Sequence, residues 1–282
     1  MNQTPHFRTD SLSLPAGRAF ALRRNARPTA GAELHYHDHY ELLLCLTGRL
    51  NYQVEGHAYR LEPGTVLLIQ PYQLHHALPG NGSTERIALR FEESVLRCRT
   101  TPEWPLLKRM CTDAPAHGNQ LQLSGGRFQQ VSDILRALLR ENGTEEFGRE
   151  IMQEVLLTQL FLCIDRATRA APLPQLPVTA DEQLVQQVIE YFEGHLSDAV
   201  PLDVLARRFY TDRYSLSRTF TRLVGCPPHT YLTQKRLQKA TMLLQAGVPP
   251  QEAALQCGFA DYSNFYRRFR AAFGCGPREY RR

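Results

Sequence analysis

A group of imidazole side chains lies between residues 31 and 80, at spacings typical of a site for a metal or a polar ligand. His35 and His37 are two residues apart, so on an extended strand both side chains point to one face, and Glu41 follows closely. Two imidazoles and a carboxylate, joined by a later histidine from a neighbouring strand, form a ligand set that suits a divalent cation. The later candidates are His75 and His76.

Three interpretations of this group stay open from the sequence. The five residues hold a divalent metal, line the polar pocket of a small-molecule effector, or are core and surface residues without a ligand. A shift in strand register would bring His39 into the place of His35. The sequence contains no feature that separates these interpretations.

Positive charge is concentrated at the C-terminal end of the 282 residues. Residues 201–282 carry 14 Lys and Arg against 5 Asp and Glu, a net charge of +9. Residues 1–200 carry 19 against 23, a net charge of −4. Such an asymmetry indicates a polyanionic partner, which is usually nucleic acid.

The basic segment contains an internal repeat. Shifted by 49 residues, 201–231 aligns with 250–280 with eight identities in 31 pairs, which include Asp212/Asp261, Arg218/Arg267 and Gly225/Gly274. In each copy the aspartate is a favourable N-cap and the glycine a favourable residue just past a helix C-terminus. Each copy therefore predicts two helices joined by a tight turn, at about 202–224 and 250–273, with an outward arginine on the second helix.

This arrangement favours DNA as the polyanion. Arginine is the residue that most often pairs with guanine in the major groove. Two such helices, held apart by the helix predicted over 230–245, suit successive groove segments about 34 Å apart. One outward arginine would equally suit a solvated helix face, but duplication at matched positions favours binding of double-stranded DNA.

The same stretch resembles the DNA-binding domain of the AraC/XylS transcription regulators over about the last hundred residues. The resemblance rests on Ser217-Arg218-x-Phe220, Gly225-x-x-Pro228, Gly258-Phe259-x-Asp261, Phe265-x-Arg267-x-Phe269 and Gly274-x-x-Pro277. It implies two helix-turn-helix motifs whose base-reading positions are Tyr214, Ser215, Ser217, Arg218, Tyr262, Ser263, Asn264 and Arg267. The sequence departs from the family pattern at Pro249-Pro250, where the first helix of the second motif begins. Because proline suits the first position of a helix, that helix is still expected to form.

Residues 11–91 predict a small barrel or sandwich, because short apolar runs alternate with Gly and Pro turn signals every 8–12 residues. The spacing His35-x-His37-x3-Glu41-x6-Gly48 resembles the first cupin motif, and Pro63-Gly64 with Pro71-x3-His75-His76 resembles the second. Helices are predicted over 128–140 and 146–166. In the second of these, Ile151, Val155, Thr158 (or Gln159) and Leu162 approximate a seam, with Leu156, Leu160 and Ile164 beside it. The helix either packs on the barrel or forms a dimer interface, and because the stripe is wider than one seam needs, a homodimer is favoured.

The predicted architecture is a two-domain α+β chain. Residues 1–169 form a cupin-like sensing and dimerisation domain, and residues 181–282 form an all-α domain with the two helix-turn-helix motifs. Between them, 170–180 contains three prolines, which act as a semi-stiff spacer.

The leading functional hypothesis is a transcription regulator, more an activator than a repressor by family resemblance, that responds to a small-molecule effector in the barrel. Its expected partners are DNA, the effector, a second copy of the chain and RNA polymerase. Two alternatives are a metal-dependent cupin enzyme fused to a DNA-binding domain and a constitutive architectural DNA binder. Seven scattered cysteines, apolar runs too short to span a membrane and no apolar leader favour a cytoplasmic protein.

Overall fold

The computed structural model describes residue 14 and the ranges 19–25, 34–78, 83–96, 119–170 and 179–280. Two antiparallel sheets form the N-terminal domain. The larger sheet has the order β1 (Phe20–Asn25), β7 (Glu85–Phe91), β2 (Tyr40–Thr47), β5 (Thr65–Ile69) and β8 (Gln120–Gln122). The smaller sheet has the order β4 (His57–Leu61), β3 (Leu50–Val54) and β6 (His75–Ala77). β8 was not predicted, since three residues give no periodic signal.

The central strand β2 is apolar almost throughout because both of its faces are buried, as in a sheet covered on both sides. Leu42 and Leu44 pack towards the helices α1 (Gly125–Asn142) and α2 (Arg149–Ala170). The alternating residues Leu43 and Cys45 pack in the core shared by the two sheets. The predicted sheet-rich domain with two following helices is confirmed.

The C-terminal part is helical throughout its described ranges. Its elements are α3 (Ala180–Gly194), α4 (Leu202–Arg208), α5 (Arg213–Val224), α6 (Pro228–Gln245), α7 (Pro250–Gln256), α8 (Tyr262–Phe273) and α9 (Pro277–Tyr280). Pro250 stands at the first turn of α7, so that helix forms as expected. Residues 171–178 of the predicted linker lie outside the described residues, and the proposed domain limits stay a prediction. No helix in the described ranges is long and apolar enough to cross a bilayer.

Two apolar cores stabilise these helices, and they differ in their neighbours. The core around Phe220 joins α3, α4 and α5 with Tyr36 and Leu74 of the sheet domain. The core around Phe269 is made by residues of α6, α7, α8 and the segment between α7 and α8. The first helix-turn-helix motif is therefore held by the sheet domain through a shared core, whereas the second has a core of its own.

Candidate nucleic-acid interface and buried histidine cluster

The two helix-turn-helix motifs are built in the same way. α5 and α8 each contain 12 residues and begin after an aspartate whose carboxylate accepts hydrogen bonds from two backbone N–H groups of the first turn at 2.9–3.0 Å. Each helix ends at a glycine with a left-handed backbone, φ 88° at Gly225 and 75° at Gly274. A side chain is disfavoured in that conformation, which explains the glycine in both copies. The predicted caps and helix ends are therefore confirmed.

The side chains of α5 and α8 divide into a buried and an exposed face. Leu216 and Phe220 are buried in α5, as are Phe265 and Phe269 in α8. Arg218 and Arg267 are exposed, with Tyr214 and Ser263 exposed beside them. The Arg213 guanidinium lies 4.7 Å from the centroid of the Tyr214 ring, so an aromatic-cation pair stands at the start of the exposed face of α5.

The other predicted base-reading residues are less accessible. Ser215, Ser217, Tyr262 and Asn264 are half-buried. The Tyr262 ring packs at 5.8 Å from the Phe265 ring, and the Asn264 side chain accepts a hydrogen bond from Arg268 at 3.1 Å. These four stay predicted contacts, with less of each side chain exposed than for Arg218 and Arg267.

The helix α6 connects the two motifs. It contains 18 residues and starts two residues earlier than the sequence predicts, at Pro228. At ~1.5 Å per residue it extends over about 27 Å. This length approaches the ~34 Å between successive major-groove segments.

The buried histidine cluster brings together three of the predicted ligands. His37, Glu41 and His75 each place one ligand atom within 4.8 Å of the others, and all three residues are buried. The Glu41 Oε2 atom lies 3.4 Å from His37 Nε2 and 3.6 Å from His75 Nε2. Its other oxygen, Oε1, accepts from the Arg90 side chain at 3.3 Å.

The hydrogen bonds around the cluster decide which nitrogens are left for a ligand. Nδ1 of His37 contacts the His39 carbonyl and Nδ1 of His75 contacts the Gln73 carbonyl, each at 2.8 Å. A carbonyl only accepts, so both Nδ1 atoms carry the proton. Burial lowers the pKa of His37 to about 4, although the hydrogen bond to Glu41 acts in the opposite direction. The ring is therefore neutral at pH 7, and its Nε2 atom carries a lone pair that can bind a ligand.

Three electron-pair donors therefore face one another in the cluster. The Nε2 atom of His75 has no hydrogen-bond partner among the described residues. Nitrogen and oxygen ligands of a tetrahedral ion with bonds of about 2.0–2.1 Å stand about 3.4 Å apart, close to the two separations found here. The carbonyls bound at Nδ1 orient both rings, as outer partners do at metal sites. The donor set of two imidazole nitrogens and one carboxylate oxygen fits a divalent cation.

The structure places two of the predicted residues outside this three-residue ligand group, and their role in an effector pocket stays a prediction. His76 follows His75 on β6 and therefore faces the opposite side of the strand; a Cβ at Gly225 would lie 3.7 Å from its ring. His35 is outside the ligand group, although its ring centroid lies 4.2 Å from that of His75. His39 does not replace it, since its ring stacks on His37 at 4.1 Å and its Nδ1 contacts Asp38.

A contact between the sheet domain and the connecting helix α6 is not predicted from the sequence. The Glu55 carboxylate accepts from the Tyr231 hydroxyl, from Lys235 Nζ at 2.7 Å and from the Leu74 backbone N–H at 2.8 Å. Tyr231 and Lys235 both lie on α6. Glu55 lies in the turn between β3 and β4, and no local signal in the sequence indicates which distant side chains its carboxylate contacts.

Comparison with known proteins gives matches over both halves of the chain. A family model described as AraC-like ligand binding domain matches residues 19–161, and one described as Helix-turn-helix domain matches residues 205–282. The chain is 26% identical over 250 residues to the HTH-type transcriptional activator RhaS of Escherichia fergusonii, covering 88% of this chain and 86% of that protein. It is 28% identical over 234 residues to the uncharacterized HTH-type transcriptional regulator YbfI of Bacillus subtilis, covering 82% and 80%.

Solved structures also align with the chain. ToxT from Vibrio cholerae O395 is 12% identical with a TM-score of 0.38, over 93% of this chain and 97% of that one. The DNA-binding domain of AdpA, solved in complex with a target DNA, is 30% identical with a TM-score of 0.33, over 34% of this chain and 86% of that one.

Proposed function

The chain belongs to the AraC family of transcription regulators, and from this premise we propose how it reads DNA. It carries a ligand-binding domain and a helix-turn-helix domain, and its relatives are named regulators, so it is a regulator and not an enzyme. In the proposal, α5 and α8 enter two successive segments of the major groove, with Arg218 and Arg267 as the principal base-reading residues.

One observation carries this proposal. Arg218 and Arg267 occupy the same place on two helices with the same caps, the same length and the same buried face. A guanidinium offers two parallel donors that match O6 and N7 of guanine. The duplicated geometry thus presents one base-reading group to each groove segment, with α6 as the spacer.

Selection of binding sites from random duplexes with the full chain tests the proposal. We expect an enriched site with two conserved blocks about one helical turn apart, roughly 10–10.5 base pairs centre to centre. Footprinting should protect both blocks on the same side of the duplex. A chain that binds all sequences equally well would instead be the architectural DNA binder.

We further propose that the chain is a homodimer that pairs through α2. Large apolar side chains of α2 are exposed to solvent: Ile151 is 68% exposed, Val155 is 54% exposed, and Met152 is also exposed. Phe147, just before the helix, is exposed as well. A contiguous exposed apolar face is unusual for a monomer. A two-fold axis would bury the same face of both copies against each other.

Replacing Ile151 or Val155 with aspartate is expected to give a monomer. Because a two-fold interface holds each residue twice, one substitution buries two unpaired carboxylates, and the dimer dissociation constant should rise at least ~100-fold. Sedimentation equilibrium measures this constant. Gln130→Asp places the same charge at an exposed position of α1 and should leave it unchanged. A dimer that survives Ile151→Asp and Val155→Asp pairs through another surface.

We propose a divalent cation at His37, Glu41 and His75 as a second ligand of the sheet domain. The support is the convergence of three buried electron-pair donors, described above. A cation there would neutralise Glu41 and tie β2 to β6, the two strands that carry Glu41 and His75. Its contribution is to order the sheet domain.

Titration with Co²⁺, followed by Zn²⁺ competition, tests this metal site. We expect one equivalent per chain and a d–d absorption band of tetrahedral nitrogen and oxygen ligation. His37→Ala and His75→Ala should each weaken Co²⁺ binding by more than about tenfold, because loss of an outer-shell partner alone costs about 10- to 100-fold in metal affinity. His229→Ala, an exposed histidine on α6, is the control. Unchanged affinity in the two cluster variants would exclude the site.

The remaining partners follow from the regulator role. We propose activation through contact with RNA polymerase, because relatives such as RhaS are named transcriptional activators. We propose a cytoplasmic location, where a bacterial-type regulator meets chromosomal DNA. Transcription from a purified template that carries the selected site, with and without the protein, distinguishes activation from repression.

A further inference from the structure

The tip of the β3–β4 hairpin is wedged between two helices of the C-terminal domain. Glu55 and Gly56 have φ of 48° and 82°, the left-handed backbone that a two-residue hairpin turn needs. A Cβ at Gly56 would lie 3.0 Å from the Val185 side chain on α3 and 3.2 Å from the Val224 side chain on α5. The hairpin tip therefore touches both helices directly.

A cavity of about 300 Å³ lies beside this contact. The sheet domain supplies one wall and the helices α3 and α6 supply the other. The sheet-domain wall includes Gln70, Gln73 and Asn119, and the helix wall includes Gln186, Glu193 and Lys235. None of the predicted cluster residues is among the described residues of the lining, so this cavity is separate from the histidine cluster. Its volume is at the lower end of the range of small-molecule sites.

The lining is rich in neutral hydrogen-bonding groups. Four of its side chains are amides, at Gln70, Gln73, Asn119 and Gln186. Two bonds fix part of this wall: Gln73 Oε1 accepts from Asn119 Nδ2 at 2.9 Å, and Gln186 Oε1 contacts His57 Nε2 at 2.6 Å across the domain boundary. Amides both donate and accept hydrogen bonds, which matches hydroxyl groups of a ligand.

The charges of the lining disfavour an anion. Among the described residues of the lining, Lys235 is the one lysine or arginine, and its ammonium is bound by Glu55 at 2.7 Å. Glu193 adds a second carboxylate to the wall. Val54, Pro71 and Ile189 supply apolar faces for C–H groups. A neutral molecule with many hydroxyl groups satisfies these surfaces, whereas a carboxylate or phosphate would face two carboxylates.

We infer that this cavity is the effector site and that it takes a neutral polyhydroxylated molecule of monosaccharide size. The inference rests on the proposed regulator function and names its ligand class. A ligand there contacts the sheet domain, α3 and α6 together, and α6 is the helix that connects the two helix-turn-helix motifs. Occupancy therefore changes the affinity for DNA, and DNA changes the affinity for the ligand by the same factor.

Calorimetric titration of the full chain with a panel of neutral aldopentoses, aldohexoses and C4–C6 alditols tests the inference. At least one compound is expected to bind with one equivalent per chain. Gln186→Leu on the helix wall and Asn119→Leu on the sheet wall should each weaken its binding by tenfold or more. Gln187→Leu removes the same amide from an exposed position next along α3 and should change nothing. Melting curves establish that each variant folds, and the two walls provide independent variants.

The outcomes separate this inference from the proposed function. DNA binding is measured on the same samples without ligand. If DNA binding is specific and no panel compound binds, the inference is wrong and the regulator function stands. If a compound binds and Gln187→Leu weakens it as much as Gln186→Leu, the site lies elsewhere. Loss of specific DNA binding in the unmodified chain would contradict the proposed function instead.

Discussion

Arg218→Ala and Arg267→Ala are each expected to weaken binding to the selected DNA site by roughly 5- to 150-fold. This corresponds to the loss of about 1–3 kcal/mol that one bidentate arginine–guanine pair supplies. Each substitution should also relax sequence preference in one block of the site only, because the two arginines lie on different recognition helices. Competition binding with duplexes that vary one block at a time measures both effects.

An arginine outside the two recognition helices serves as the control. Arg278 is exposed on α9. Arg278→Ala should leave sequence preference unchanged. If Arg218→Ala lowers affinity equally for every duplex and reduces the salt dependence by about one phosphate contact, Arg218 touches only the backbone, and base reading belongs to other side chains.

Phe269→Ala is expected to destabilise the second motif by about 3–5 kcal/mol, the usual cost of deleting a buried phenyl ring. Phe269 is fully buried, and its ring packs at 4.5–5.5 Å from the rings of Phe265, Phe273 and Tyr280. Because this core contains no residue of the sheet domain, only α6–α9 should loosen. Hydrogen exchange should rise there and stay unchanged over 34–78.

Phe220→Ala removes the equivalent residue of the first motif and should give a different pattern. The Phe220 ring lies 5.5 Å from Tyr231, in the core that includes Tyr36 and Leu74 of the sheet domain. Exchange should therefore rise in α3–α5 and also around 34–37 and 72–77. Leu255→Ala, at an exposed position of α7, is the control for both. Equal exchange patterns in the two phenylalanine variants would show that the two cores are coupled to the sheet domain alike.

The two recognition helices are the part of the fold that depends on interactions between residues close in sequence. The sequence alone predicts both recognition helices because the signals lie within a few residues of each helix. An aspartate cap, an apolar stripe at helical spacing and a terminal glycine act through bonds within one or two turns. The two sites at which these signals occur are related by a constant shift of 49 residues, so one copy supports the interpretation of the other.

The histidine cluster was only partly predictable. The spacing of His37 and Glu41 follows from one segment of chain, but the choice between His75 and His76 depends on which face of β6 meets β2. Adjacent residues on a strand face opposite sides, so a change of one residue in register exchanges them. Sequence reasoning therefore gave both, and the packing of the sheets selected His75.

By itself, then, the sequence determined the two-domain order, the duplicated DNA-binding unit and its outward arginines, since each depends on interactions between near neighbours. Only the tertiary structure decided that Glu55 binds Lys235 and Tyr231, about 180 residues further along the chain, and that a polar cavity lies beside this contact. Contacts of that range depend on how finished elements pack against one another, and no local pattern of residues encodes them.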